Sequence, residues 1–122
     1  MKLIEYNNLK SRSSENTEPL IHVSKSGIIT FNQQLINELK LVQKRKISFF
    51  QDEDSPKDWY IKLDTINGIP LKEKKNSSIL YIQYKNLSDK ILESLNSKNK
   101  SLKIRVSTQL HEGMYSLITR AL

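Results

Sequence analysis

The stretch Ile21-His22-Val23-Ser24-Lys25-Ser26-Gly27-Ile28-Ile29-Thr30-Phe31-Asn32 decides how this chain folds. Ile21–Val23 and Ile28–Phe31 are short β-branched and aromatic runs, the composition that suits a pleated, half-buried strand. Between them Ser24–Gly27 is a polar turn, and Gly27 supplies the backbone freedom that such a turn requires. Asn32 then stands where an N-cap would. Leu35, Ile36 and Leu39 follow at helical spacing, so the hairpin leads into a helix of about two turns that ends near Lys40.

Working outward, Lys44-Arg45-Lys46 precedes the apolar run Ile47–Phe50, and Trp59–Leu63 follows the polar segment Gln51–Asp58. Pro56 keeps that segment out of any central strand, so the pattern predicts a β-hairpin with a long acidic tip. From Asn67-Gly68 onward the same order recurs. Ile69–Lys72 is a strand candidate, Lys74–Ser78 a polar turn and Ile79–Ile82 a second strand. Leu87, Ile91, Leu92 and Leu95 mark a helix, and Leu102–Val106 pairs with Met114–Thr119 across Gly113.

Identities between the halves are few and the offset drifts from 51 before the helix to 56 in the hairpin, so the internal repeat rests on order and pattern. A ββαββ unit leaves one apolar sheet face and its strand edges open, and a second copy covers both. The expected fold class is therefore α+β: a small mainly-β barrel built from two ββαββ units, residues 20–66 and 67–122, related by a pseudo-twofold. Residues 1–19 form an N-terminal extension, with Met1–Tyr6 alternating like a strand and Asn7–Glu18 reading as a polar loop.

The run Val23–Asn32, followed by a short helix and a hairpin, resembles the swapped-hairpin barrels of the AbrB and MazE type. The resemblance is carried by Ile21–Leu63; Ile69–Arg120 is similar in its order of elements, so the chain looks like a fused pseudo-dimer of that fold. It implies a DNA-binding transcription regulator or antitoxin-like factor, with basic residues near the turn glycine and the helix start on the duplex. The chain departs from that pattern at Ile28, where an arginine is common, at Asn32 in place of proline, and at Ile36 and Asn37 where members often carry arginines. Lys25 is the basic residue within the motif itself. Lys74 and Lys75 occupy the corresponding second turn, which would set two basic turns as mates on one side of the barrel.

Composition bears on partners. Twenty Lys and Arg against thirteen Asp and Glu give a net charge of +7, which favours polyanions through long-range attraction. The Gln51–Asp58 segment holds four of the acids and one lysine, leaving nineteen basic and nine acidic residues elsewhere, so the rest of the chain carries +10. Lys44, Arg45 and Lys46 at one helix-to-hairpin junction, and Lys98, Lys100, Lys103 and Arg105 at the other, are the residue types that neutralise phosphates. The predicted nucleic-acid-binding residues are thus Lys25, Lys44, Arg45, Lys46, Lys74, Lys75, Lys103 and Arg105, with duplex DNA as the partner.

Other classes are weighed against the same residues. With no cysteine, disulfides, thiol catalysis and Cys-based zinc sites are excluded, which suits a reducing compartment, and a cytoplasmic location is expected. No apolar run approaches the roughly 18 residues of a membrane span. The string Gln51–Asp58 lacks the glycine and terminal glutamate of an EF-hand loop, and no Gly-rich phosphate loop, paired histidines or activated serine stands out, so neither a metal, a cofactor nor an enzymatic activity is expected. His111 beside Glu112 is the nearest approach to an acid–base pair. One of Phe49 and Phe50, and one of Trp59 and Tyr60, must point away from the core, since neighbours on a strand face opposite ways. An outward aromatic patch, with the acidic Asp52–Asp58 tip, would suit an assembly module that meets another subunit, a second copy or another protein's basic surface. A single-strand binder stacking bases on Trp59 and Tyr81 is the third reading.

Overall fold

The computed structural model describes residues 18–119 apart from 76, 78 and 99; the expected Met1–Tyr6 strand and most of the 1–19 extension lie outside the described residues. The decisive hairpin forms as the sequence dictates. Strand β1 (Leu20–Ser24) turns at Lys25–Gly27 into β2 (Ile28–Phe31), with Ile21 opposite Phe31 and Val23 opposite Ile29. Gly27 has φ +105, a value that suits glycine, and its N–H donates to the Ser24 carbonyl at 3.0 Å. A Cβ there would meet the Lys85 backbone at 3.0 Å.

Asn32 caps helix α1 (Gln33–Leu39) by accepting from the Leu35 N–H at 2.9 Å. Strands β3 (Lys46–Gln51) and β4 (Trp59–Leu63) then make the first long hairpin. The run that follows departs from the single strand predicted over Ile69–Lys72. It is split at Leu71 into β5 (Ile69–Pro70), which pairs with β3, and β6 (Lys72–Glu73), which pairs with β7 (Leu80–Gln83). Pro70 has no N–H to give a ladder, and buried Leu71 bonds to the Lys44–Arg45 backbone instead, at 2.8 and 2.9 Å. Helix α2 (Lys85–Ser94), β8 (Ser101–Val106) and β9 (Tyr115–Ile118) complete the chain.

All pairings are antiparallel, in the order β5-β3-β4-β9-β8-β1-β2-β7-β6. Because β5 and β6 are two halves of one extended run, the two ends of the sheet meet at Leu71, and the sheet is a nearly closed antiparallel barrel with two short helices. Closure leaves few free edges. Every second residue points inward: Ile21, Val23, Ile29, Phe31, Ile47, Ile61, Ile82 and Ile104 are fully buried, and Leu35, Ile36, Leu39, Ile91 and Leu92 from the helices join the same core. Trp59 is also buried, and its Nε1 donates to Ser94 Oγ at 2.8 Å, tying β4 to the end of α2. Of each adjacent aromatic pair one ring turns outward, as the alternation requires: Phe50 beside partly buried Phe49, and Tyr60 beside Trp59.

Candidate nucleic-acid interface

The inward alternation sets an outward one, and the register joins the outward residues into a row. His22 faces Lys103 on β8 and Thr30 on β2; Thr30 faces Tyr81 on β7; Tyr81 faces Lys72 on β6. Lys103 and Lys72 are exposed, and His22, Thr30 and Tyr81 are half-buried while their chain neighbours are in the core. The row Lys103–His22–Thr30–Tyr81–Lys72 thus crosses five strands, about 19 Å at the usual strand spacing. Strands β1, β2, β7 and β8 contain no Asp or Glu.

Other predicted residues flank this row. Lys44 donates its N–H to the Leu71 carbonyl at 2.8 Å, which sets it beside Lys72. Arg105 lies opposite Leu20, one outward position along from Lys103, with Glu18 at 3.8 Å. Lys25 bonds through its N–H to the Lys100 carbonyl at 2.7 Å, and its own carbonyl accepts from Lys85 Nζ at 3.1 Å, so Lys25, Lys85 and Lys100 share a corner. Lys74 bonds to the Ile79 carbonyl at 3.0 Å and, with Lys75, occupies the β6–β7 turn. Since β2 and β7 run antiparallel, with Ile28 opposite Gln83 and Phe31 opposite Leu80, the two basic turns lie at opposite ends of the β2–β7 ribbon. They flank one face diagonally and do not sit side by side.

Two predicted residues have other work. Arg45 makes a bidentate pair with Asp64, both bonds 2.9 Å, and donates to the Leu39 and Lys40 carbonyls at 3.2 and 3.0 Å. The Asp64 carboxylate is held below its usual range by that hydrogen bond, and the same bond raises Arg45. Lys46 lies on β3 and its Nζ donates to the Ile66 carbonyl at 3.2 Å. The residues missed by sequence reading are Lys72 and His22. Lys72 was visible as the end of a strand, but nothing in the chain said that it would stand three strands from His22 on the same face.

The remaining candidates resolve in the same way. His111 and Glu112 lie in a tight turn, with a His111–Met114 bridge and positive φ at Glu112 and Gly113. Ser88 Oγ is fully buried and has no hydrogen-bond partner among the described residues, so it has no base to activate it. No group of three or more His, Asp or Glu among the described residues is placed to hold a metal ion. No helix among the described residues is long and apolar enough to cross a membrane. The chain matches no protein-family profile, no curated protein and no solved structure.

Proposed function

We propose that the chain is a non-catalytic nucleic-acid-binding protein, a transcription regulator or antitoxin-like factor that docks duplex DNA on the outward face of β8, β1, β2, β7 and β6. The observation that carries this reading is the cross-strand row from Lys103 through His22, Thr30 and Tyr81 to Lys72, in which four of the five strands, β8, β1, β2 and β7, contain no carboxylate and Glu73 on β6 is the exception. Phosphates attract such a face irrespective of sequence, and the ends of the row are far enough apart to engage phosphates on both sides of a groove. Lys44, Lys74, Lys75, Arg105 and Lys25 extend the same field. Arg45 contributes little, since Asp64 neutralises it.

The AbrB-like, tandem-duplicated architecture is part of the proposal. Exchanging β1, β2, β3 and β4 for the β5–β6 run, β7, β8 and β9 returns the same cyclic strand order, and each half places its helix after its second strand. Under that exchange Thr30 and Tyr81 are mates facing one another, and His22 opposite Thr30 corresponds to Lys72 opposite Tyr81. A duplex, itself pseudo-symmetric, would meet basic side chains on either side of the Thr30–Tyr81 pair, Lys103 beyond His22 on one side and Lys72 on the other.

The test is a salt titration of duplex binding by the full chain. Affinity should fall log-linearly with salt, and Lys72→Ala with Lys103→Ala should reduce the slope by roughly 2, against no reduction for Arg45→Ala. No binding at low salt, or a slope indifferent to the Lys72 and Lys103 changes, sinks the reading. In a single-strand alternative Trp59 offers no stacking face, because it is only 3% exposed. Tyr81 would have to carry the stacking.

A further inference from the structure

On the far side of the barrel, where β3 and β4 approach the β8–β9 turn, one patch has the opposite chemistry. Phe50 on β3 lies directly across from Tyr60 on β4, both outward, and Phe50 is 44% exposed. The β8–β9 hairpin ends in a two-residue turn: the N–H groups of His111 and Met114 each donate to the other's carbonyl, at 2.8 and 3.0 Å, with φ +53 at Glu112 and +80 at Gly113. Positive φ at both central residues is the type I′ geometry, which joins strands tightly and holds its side chains in a defined place. This turn meets the β3–β4 hairpin in a concavity of about 300 Å³ lined by Phe50, Tyr60, Met114, His111, Asp52 and Glu112.

Two aromatic rings and a thioether with two carboxylates at the rim are the parts of a site for an organic cation. Ring faces attract an ammonium or guanidinium through their quadrupole, and arginine stacks on them best. The carboxylates add charge complementarity in a chain that is otherwise strongly basic. Asp52 is fixed as well as present, since its Oδ1 accepts from the Asp54 N–H at 2.8 Å and its own N–H donates to the Asp58 carbonyl at 3.0 Å. The cavity is large enough for one long side chain and open enough for it to arrive from another protein.

We propose that this concavity captures an arginine side chain of a protein partner, so that the barrel presents an aromatic, acidic protein-docking face opposite its basic one. The inference does not depend on nucleic-acid binding.

A blocked tetra-arginine peptide titrated into the full-length protein, followed by amide chemical shifts, tests it. Shifts should concentrate at Phe50, Tyr60 and Glu112–Met114. Phe50→Leu, which keeps the bulk but removes the ring, should weaken binding about threefold or more, as should Glu112→Gln. Both positions are exposed, so the variants should retain the wild-type spectrum elsewhere. Lys72→Ala and Lys103→Ala, which test the other face, should leave this binding unchanged. Absence of shifts at these residues overturns the proposal. So does equal binding by Phe50→Leu, which would reduce the effect to diffuse attraction by the acidic Asp52–Asp58 tip, and so does an equal response to a tetra-glutamate peptide.

Discussion

Asn32 and Leu20 are joined by two hydrogen bonds: the Asn32 N–H donates to the Leu20 carbonyl and the Leu20 N–H donates to Asn32 Oδ1, each at 3.1 Å. The same Oδ1 caps α1 through the Leu35 N–H, and Asn32 Nδ2 donates to the Glu18 carbonyl at 2.7 Å. One side chain thus starts a helix and anchors the beginning of the first strand. A proline at this position, the usual residue in the fold that the sequence resembles, would lack both the N–H and the amide.

Asn32→Ala should therefore cost more than an ordinary cap deletion, about 2 kcal/mol against the usual ~1 kcal/mol, because the Leu20 N–H also loses its acceptor. Asn32→Asp should retain most of the stability, as it keeps the acceptor for Leu35 and Leu20. Urea unfolding of the three proteins checks this order, and an Ala variant as stable as the Asp variant would contradict it.

The Arg45–Asp64 pair gives a pH dependence with a defined sign. The hydrogen bond from Arg45 holds the folded Asp64 carboxylate below its unfolded value, so its contribution is complete above the ordinary carboxylate range and is lost as pH falls through the folded value. The stability gap between wild type and Asp64→Asn should be constant near neutrality and should close below about pH 4. Unfolding midpoints of both proteins across that range provide the comparison, which cancels the titration of the other carboxylates. A gap that stays unchanged on acidification would show the pair to be unimportant.

Gly27 and Gly113 both have positive φ, yet their surroundings differ. A Cβ at Gly27 would press on the Lys85 backbone at 3.0 Å, whereas nothing lies within 4 Å of one at Gly113. Gly113→Ala should cost about 1 kcal/mol, the strain of the backbone conformation alone, and Gly27→Ala should cost about 2–3 kcal/mol by adding the displacement of α2. Thermal or urea unfolding separates the two, and equal losses would mean that the turn and α2 are not tightly seated.

Much of the fold was legible in the chain. Period-two alternation in Ile21–Val23, Ile28–Phe31 and Trp59–Leu63, the Asn32 cap and the Gly27 turn are local signals, set by side-chain sterics and by hydrogen bonds within a few residues. The split at Leu71 was not legible, because it depends on which neighbours the two halves of the run find. The difference between Lys103 and Arg45 was equally hidden: both are cations at helix-to-hairpin junctions, and only the arrival of Asp64 nineteen residues later neutralises one of them.

By itself the sequence determined most of the elements and inward residues, and the excess of positive charge outside the acidic Asp52–Asp58 tip. Tertiary structure alone decided where that charge sits. Strand register, fixed by burial of Ile21, Ile29, Ile82 and Ile104 on the inner face, sends Lys103, His22, Thr30, Tyr81 and Lys72 outward together, because a one-residue slip in any strand would send its core to solvent. The same closure turns Phe50 and Tyr60 to the far side and brings Glu112 beside them, so that a chain with one net charge acquires two chemically opposite faces.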